Sequence, residues 1–302
     1  MSFFNLHMKF PIVKNRRLWF AFSAVLVGLS LALVAAGGLR FGIDFTGGSL
    51  LEIDFAGEVS PEEFAGIFQD NFQEKGERIV QTGNGFQIRS REISQSEKDF
   101  FLGALQKAGH EFSVKRAISV GPTVGAVFKR RAAISLTIAL VAIVCFLAFA
   151  FRKVPKAISP WKFGIAAIVA LAHDVIITVG VFALLGFFAN AEVDSLFITA
   201  LLTVMGFSVH DTIVVFDRVR ENLKGKNSLN SFDKITEIAL WQTMSRSINT
   251  SLSTIIVLAA LLIFGSETLF FFVLALTVGI LAGTFSSVFL AAPLLVAWQK
   301  RG

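Results

Sequence analysis

The stretch Gly206–Asn222, GFSVHDTIVVFDRVREN, leaves an apolar run that starts near Ser195 and ends on a charged edge. Asp211 lies inside it, flanked by apolar residues, with no basic residue between it and Arg218. Read as helix, that separation puts the carboxylate roughly 10 Å inside the edge of a bilayer. A carboxylate at that depth costs about 2.5 kcal/mol or more on insertion scales, so it needs a partner or a task.

The flanking sequence supports a membrane setting. The chain is 54% hydrophobic and 17% charged, against about 25% charged in an average soluble domain. Its mean hydropathy is +0.68. Six apolar runs are long enough to span a bilayer, at about 18–39, 132–151, 163–188, 195–216, 247–264 and 269–298. The net charge of +6 gathers at the ends of these runs, which argues against nucleic-acid binding. The basic tail 1–17 predicts a cytoplasmic N-terminus. Basic loops after Phe151 and Phe216, and after Trp298, then place the C-terminus on the same side. Lys129, Arg130 and Arg131 disagree with this count; long basic side chains next to a translocated domain can snorkel to headgroups. The one cysteine, Cys145, lies within an apolar run, so no disulfide framework or thiol metal site is expected.

Between the first two spans the composition changes. Residues 40–116 carry 13 acids and 9 bases. Ser49–Phe55 alternates like a half-buried strand after Gly47-Gly48. Ser60-Pro61-Glu62-Glu63 is a helix start. Arg78–Thr82 and Phe86–Ser90 flank a Gly83-Asn84-Gly85 turn. Ser94 and Glu97 form a capping-box pair, and Phe112–Val120 is a last strand. The order βαββαβ predicts an α+β ferredoxin-like domain over 40–131, extracytoplasmic in this topology. The fold class is thus a polytopic α-helical membrane protein with one inserted α+β domain.

Helical spacing puts Ser208, Asp211, Thr212 and Val215 on one stripe of the fourth span. Arg246, Asn249, Thr250 and Ser253 form a like stripe on the fifth, so a buried Asp211–Arg246 ion pair is expected. That pair either titrates or fixes helix register. His173 and Asp174 lie on the third span, with Thr178 one turn beyond. Twelve residues from Lys162 set Asp174 roughly 18 Å deep. His173, His210 and Asp174 are relay candidates or plain structural groups. The two His-Asp pairs lack a metal-ligand spacing, and no metal or cofactor is expected. Ala275, Gly279, Gly283 and Ser287 recur every fourth residue on the sixth span, a face for close helix packing that we read as suited to a partner subunit. Nucleotide-binding and hydrolase motifs are missing, which argues against an enzyme.

Five segments carry a resemblance to a known family. GIDFTGGSLLEI (Gly42–Ile53), SVGPTVG (Ser119–Gly125), ALAHDVIIT (Ala170–Thr178), GFSVHDTIVVFDRVREN and TMSRSINTSLST (Thr243–Thr254) occur in the order found in SecD/SecF protein-export subunits, in the pattern of the SecF members. The resemblance implies a six-span half of the RND superfamily that pairs with SecD. It also implies assistance to the SecYEG channel, with YajC a further candidate partner, in exporting unfolded polypeptide across a prokaryotic inner membrane with the proton-motive force. It assigns proton coupling to Asp211 and Arg246, and the family motif after the first span to Gly42, Asp44, Gly47 and Gly48. Phe207 and His210 depart from the Tyr and Asn common in the family.

Overall fold

The computed structural model describes residues 11–71, 78–152, 159–224 and 230–299. The tail before Pro11, Lys153 and Lys156 of one basic loop, Lys226 and Leu229 of the next, and Lys300 and Arg301 lie outside the described residues. The chain divides into two compact units, Phe41–Ala133 and the rest.

In the smaller unit a one-turn helix α2 (Ile43–Thr46) leads into β1 (Gly48–Phe55). Helix α3 (Pro61–Asn71), strands β2 (Arg78–Thr82) and β3 (Gly85–Ser90), helix α4 (Gln95–Lys107) and strand β4 (Phe112–Val120) follow. The sheet is antiparallel with order β2-β3-β1-β4, the expected ferredoxin-like arrangement. Alternation along β1 and β3 buries Leu51, Ile53, Phe55, Phe86 and Ile88 against Phe64, Phe68, Phe101 and Leu105 of the two helices. The turn is tighter than expected: Thr82 pairs with Gly85, leaving Gly83-Asn84 as a two-residue loop. Ser94 and Glu97 form the full capping box, and Arg91 also binds Glu97. Those hydrogen bonds, from Arg91 first and then Ser94, hold the Glu97 carboxyl down at about 2.

The larger unit holds α1 (Arg16–Ala35), most of α5 (Pro122–Ala150), α6 (Pro160–Phe188), α7 (Ser195–Lys224), α8 (Phe232–Phe264), α9 (Glu267–Ser286) and α10 (Ala292–Gln299). Six helical stretches are long and apolar enough to cross a membrane. The chain is therefore a multi-pass membrane protein.

Several helices end elsewhere than expected, each for a local reason. α1 stops at Ala35 because Gly37 adopts φ 81°. Gly37 N–H then donates to Val34 O, and Gly38 N–H to Leu33 O, a Schellman stop. α8 fuses the amphipathic segment and the fifth span into one helix of 33 residues, so the expected break before Ser247 is absent. Between α9 and α10 lies a π turn, Ser287–Ala291. Pro293 follows it and offers no N–H to the preceding turn, which favours such a break.

Small residues set the helix spacing. Ser30 of α1 is buried directly against Gly180 of α6, where a Cβ would collide. Gly279 of α9 meets Val204 of α7, and a Cβ on Gly283 would stand 3.1 Å from Ser208 Cβ. The small-residue face of the sixth span therefore packs against α7 of the same chain. Our reading of that face as a partner-subunit contact is corrected: backbone approach within the chain uses it up.

One anchor left no sequence signal. Glu237 of α8 accepts the backbone N–H groups of Ile12 (2.9 Å) and Val13 (2.8 Å) and the Trp241 indole N–H (3.0 Å), fixing the segment ahead of α1.

Candidate functional site

The two glycines of the Gly42–Gly48 motif are fixed by geometry. Gly47 and Gly48 have φ 73° and 118°, which side chains strain to adopt. A Cβ on Gly48 would lie 2.5 Å from Ser90 O, and one on Gly47 3.0 Å from Pro122 Cα. A Cβ on Gly125 would in turn lie 2.9 Å from Gly47 N. The motif and the Ser119–Gly125 motif thus meet: one is a kinked strand start, the other the helix start packed on it. Gly42 is the extended residue before α2, and Asp44 lies in its first turn.

Two polar sites among the membrane helices bear on the candidate residues, and both involve α7. In the first, both oxygens of a carboxylate have partners, while the Nε2 of the adjoining histidine has none. Asp174 of α6 is fully buried, and its Oδ2 accepts from Ser208 Oγ of α7 (2.6 Å) and Ser286 Oγ of α9 (2.7 Å). Its Oδ1 lies 2.9 Å from His173 Nδ1. One turn away, Thr212 Oγ1 and Ser287 Oγ are 3.0 Å apart, at the start of the π turn. Thr178 Oγ1 donates to the Asp174 carbonyl. Gly283 lets α9 approach closely enough for Ser286 to reach the carboxylate. Ser286 was not singled out from the sequence, although its place beside the small-residue stripe was a usable signal.

The second place is unsaturated. Asp211 is 2% exposed, yet its buried Oδ2 has no hydrogen-bond partner. Among the described residues no ion pair within 4.0 Å joins it to Arg246. The expected close ion pair is not formed, although the Arg246 guanidinium still acts on Asp211 electrostatically within the chain. The reason is the rotation of α8. Thr243, Ser247, Ser251 and Leu258 form its buried side, whereas Arg246, Asn249 and Ser253 are exposed and Thr250 is half-buried. Spacing told which residues share a stripe but not which stripe turns inward. On α7, Thr199, Thr203, Gly206 and His210 also share an exposed face. Helices α7 and α8 pack together, so the polar exposures belong to neighbouring helices. Thr199, Thr203 and Ser253 donate to carbonyls of their own helices, which leaves His210, Arg246 and Asn249 among these as the exposed groups that lipid cannot satisfy and that call for a protein or aqueous neighbour. No group of three or more metal-ligating residues occurs among the described residues.

Residues 101–301 match the family described as "Protein export membrane protein SecD/SecF, C-terminal", and residues 32–59 match the "SecD/SecF GG Motif". The protein translocase subunit SecF of Thermobaculum terrenum is 40% identical over 302 residues, covering 96% of this chain and 94% of that protein. Its counterpart from Anaerolinea thermophila is 38% identical over 297 residues, with 96% and 94% covered. Among solved structures, the crystal structure of SecDF, a translocon-associated membrane protein from Thermus thermophilus, aligns with a TM-score of 0.84 at 33% identity. That alignment takes in 97% of this chain and 39% of the SecDF chain, so this chain spans about two fifths of it. With matched segments running from the glycine motif to the last helix, the chain belongs to the SecD/SecF family of protein-export membrane proteins, among its SecF members.

Proposed function

We propose that this chain is the SecF partner of a SecD subunit, and that Asp211 carries the proton that couples the proton-motive force to export. It is a transport component without enzymatic chemistry of its own. The observation that carries this reading is the state of Asp211: buried, lacking a partner on Oδ2, and on a helix whose exposed face is polar. A second subunit set against α7 and α8 covers that face and completes the surroundings of Asp211. Arg246 then acts across that contact, with His210, Asn249 and Thr250 in support. The likeness to SecDF, a chain that this one covers only in part, supports a missing second half.

The loop charges support a topology with both termini in the cytoplasm and the α+β unit, about residues 40–131, outside. In this reading the protein sits in the inner membrane of a prokaryote. It works beside SecYEG, with YajC a further candidate partner, on unfolded polypeptide that emerges from the channel. Rigid-body movement of the helices, driven by loading and release at Asp211, reaches the outer unit.

The test is export assistance in cells or vesicles that contain SecD. Asp211→Asn removes the titrating group with little change in shape and abolishes assistance while the complex still assembles; Asp211→Glu keeps part of it. Full activity in Asp211→Asn would make the residue structural.

A further inference from the structure

The His173–Asp174 pair is not needed by the reading above, and Asp174 is the most deeply buried ionisable residue among the described ones. The side chains of the pair are 3% and 0% exposed. The geometry suits one charge state: with donors on both oxygens, Asp174 as a carboxylate accepts two serine hydroxyls on Oδ2 and the His173 Nδ1–H on Oδ1, against the desolvation that burial imposes on its charge. His173 Nε2, buried and without a partner, is then a bare ring nitrogen, which tolerates that position better than an N–H does. The dyad as it stands carries one negative charge.

We propose that this dyad is a second proton-binding site, separate from Asp211. Adding one proton at Nε2 turns the ring into an imidazolium and takes the dyad from −1 to neutral. It also creates a buried N–H with no acceptor. That donor is costly to leave unsatisfied, so loading favours a different placement of the ring and of the helices tied to it. Those ties are specific: Ser208 belongs to α7 and Ser286 to α9. The π turn that follows Ser286 supplies a break in the helix at which α9 can shift, a feature often found at functional sites. His173 also stacks on Phe285, at 6.0 Å, so ring rotation is felt on α9.

The nearest buried charge beyond the dyad is Asp211, one helical turn along α7 from Ser208. On α7 the nearest ionisable group in sequence to Ser208 is His210, which is exposed, followed by Asp211, which shares no hydrogen bond with the dyad. The ionisable residues of α1 are confined to its first two positions and that of α9 to its first; the π turn and α10 carry none. Two groups this tightly joined titrate as a unit.

The experiment is nitrogen-15 NMR of histidine-labelled full chain, assembled with its partner subunit in lipid nanodiscs. The chain has four histidines, and the His173 signals are those lost in His173→Gln. As pH falls from about 9 to 5, the window in which imidazoles titrate, the His173 Nε2 signal is expected to pass from bare to protonated. In Asp174→Asn its midpoint is expected to move by about tenfold or more in proton concentration. If that variant fails to assemble, Ser286→Ala removes one donor without a charge and should move the same midpoint by a smaller factor. Asp211→Asn should move it less than Asp174→Asn does, since Asp211 lies a helical turn beyond Ser208 and shares no hydrogen bond with the dyad. A ring that keeps one protonation state throughout would overturn the proposal. So would a midpoint that ignores the Asp174 and Ser286 changes, or one that moves as far with Asp211→Asn as with Asp174→Asn.

Discussion

Helix α7 carries two polar surroundings that differ in one respect. Toward α6 and α9, Ser208 and Thr212 enter a network in which both oxygens of Asp174 have partners inside the chain. One helical turn away, Asp211 is nearly as buried and keeps a carboxylate oxygen without a partner. A buried carboxylate with a partner on each oxygen ties its helices together, whereas one that keeps an oxygen without a partner beside exposed polar groups awaits a second surface. That contrast separates what holds this chain together from what it offers to another.

The largest expected effect lies on the Asp174 side. Asp174→Ala strands His173 Nδ1–H and two serine hydroxyls, costing about 3 kcal/mol or more. Thermal unfolding of the chain in detergent, without a partner, should show it. An unchanged midpoint would mean that the cluster is not a structural junction. Next comes Gly283→Leu, which forces α9 off Ser208 and costs about 1–3 kcal/mol. Its effect should also appear in the isolated chain. If only recovery of the partner suffers, α9 is an outer face after all.

On the Asp211 side the pattern should invert. Arg246→Met changes an exposed side chain, so the isolated chain should keep its stability within about 0.5 kcal/mol. Export assistance and recovery of the partner should fall instead. A destabilised chain with normal assembly would erase the distinction between the two faces.

The smallest effect lies in the other unit. Glu97 has its carboxyl lowered from 4.5 to about 2, so its contribution is full above the unfolded value and is lost as pH falls through the folded one. Arg91→Ala should raise amide exchange at the start of α4 near neutral pH and change little near pH 2. The Glu97 side chain is 35% exposed, and solvent screening keeps the effect small. Equal exchange in both proteins at neutral pH would remove the Arg91 contact from the account.

The sequence made much of this legible, unevenly. Apolar run lengths identified the spans, and alternation with turn and capping residues identified the βαββαβ unit. Those signals are local, and the physics that produces them is local too. Helix rotation is not. Ser247, Ser251, Asn249 and Ser253 look alike as residues on an apolar helix, and only packing against α7 and α9 decides which pair turns inward. The Asp174 network needed Ser286, 112 residues away, and no spacing rule reaches that far. Glu237 looked like part of an amphipathic surface because its task is to bind backbone N–H groups, which leave no trace in side-chain pattern. Gly283 was visible as a packing residue, but its neighbour was not.

The account turns on Asp211 as the proton-carrying group, buried beside the exposed face of α7. Proton conductance of vesicles that contain this chain and SecD, under an imposed pH gradient, tests it most directly. The account expects a conductance that falls to the protein-free background in Asp211→Asn, with intact assembly and part of the conductance kept in Asp211→Glu. An Asp211→Asn complex that conducts like the parent would contradict it.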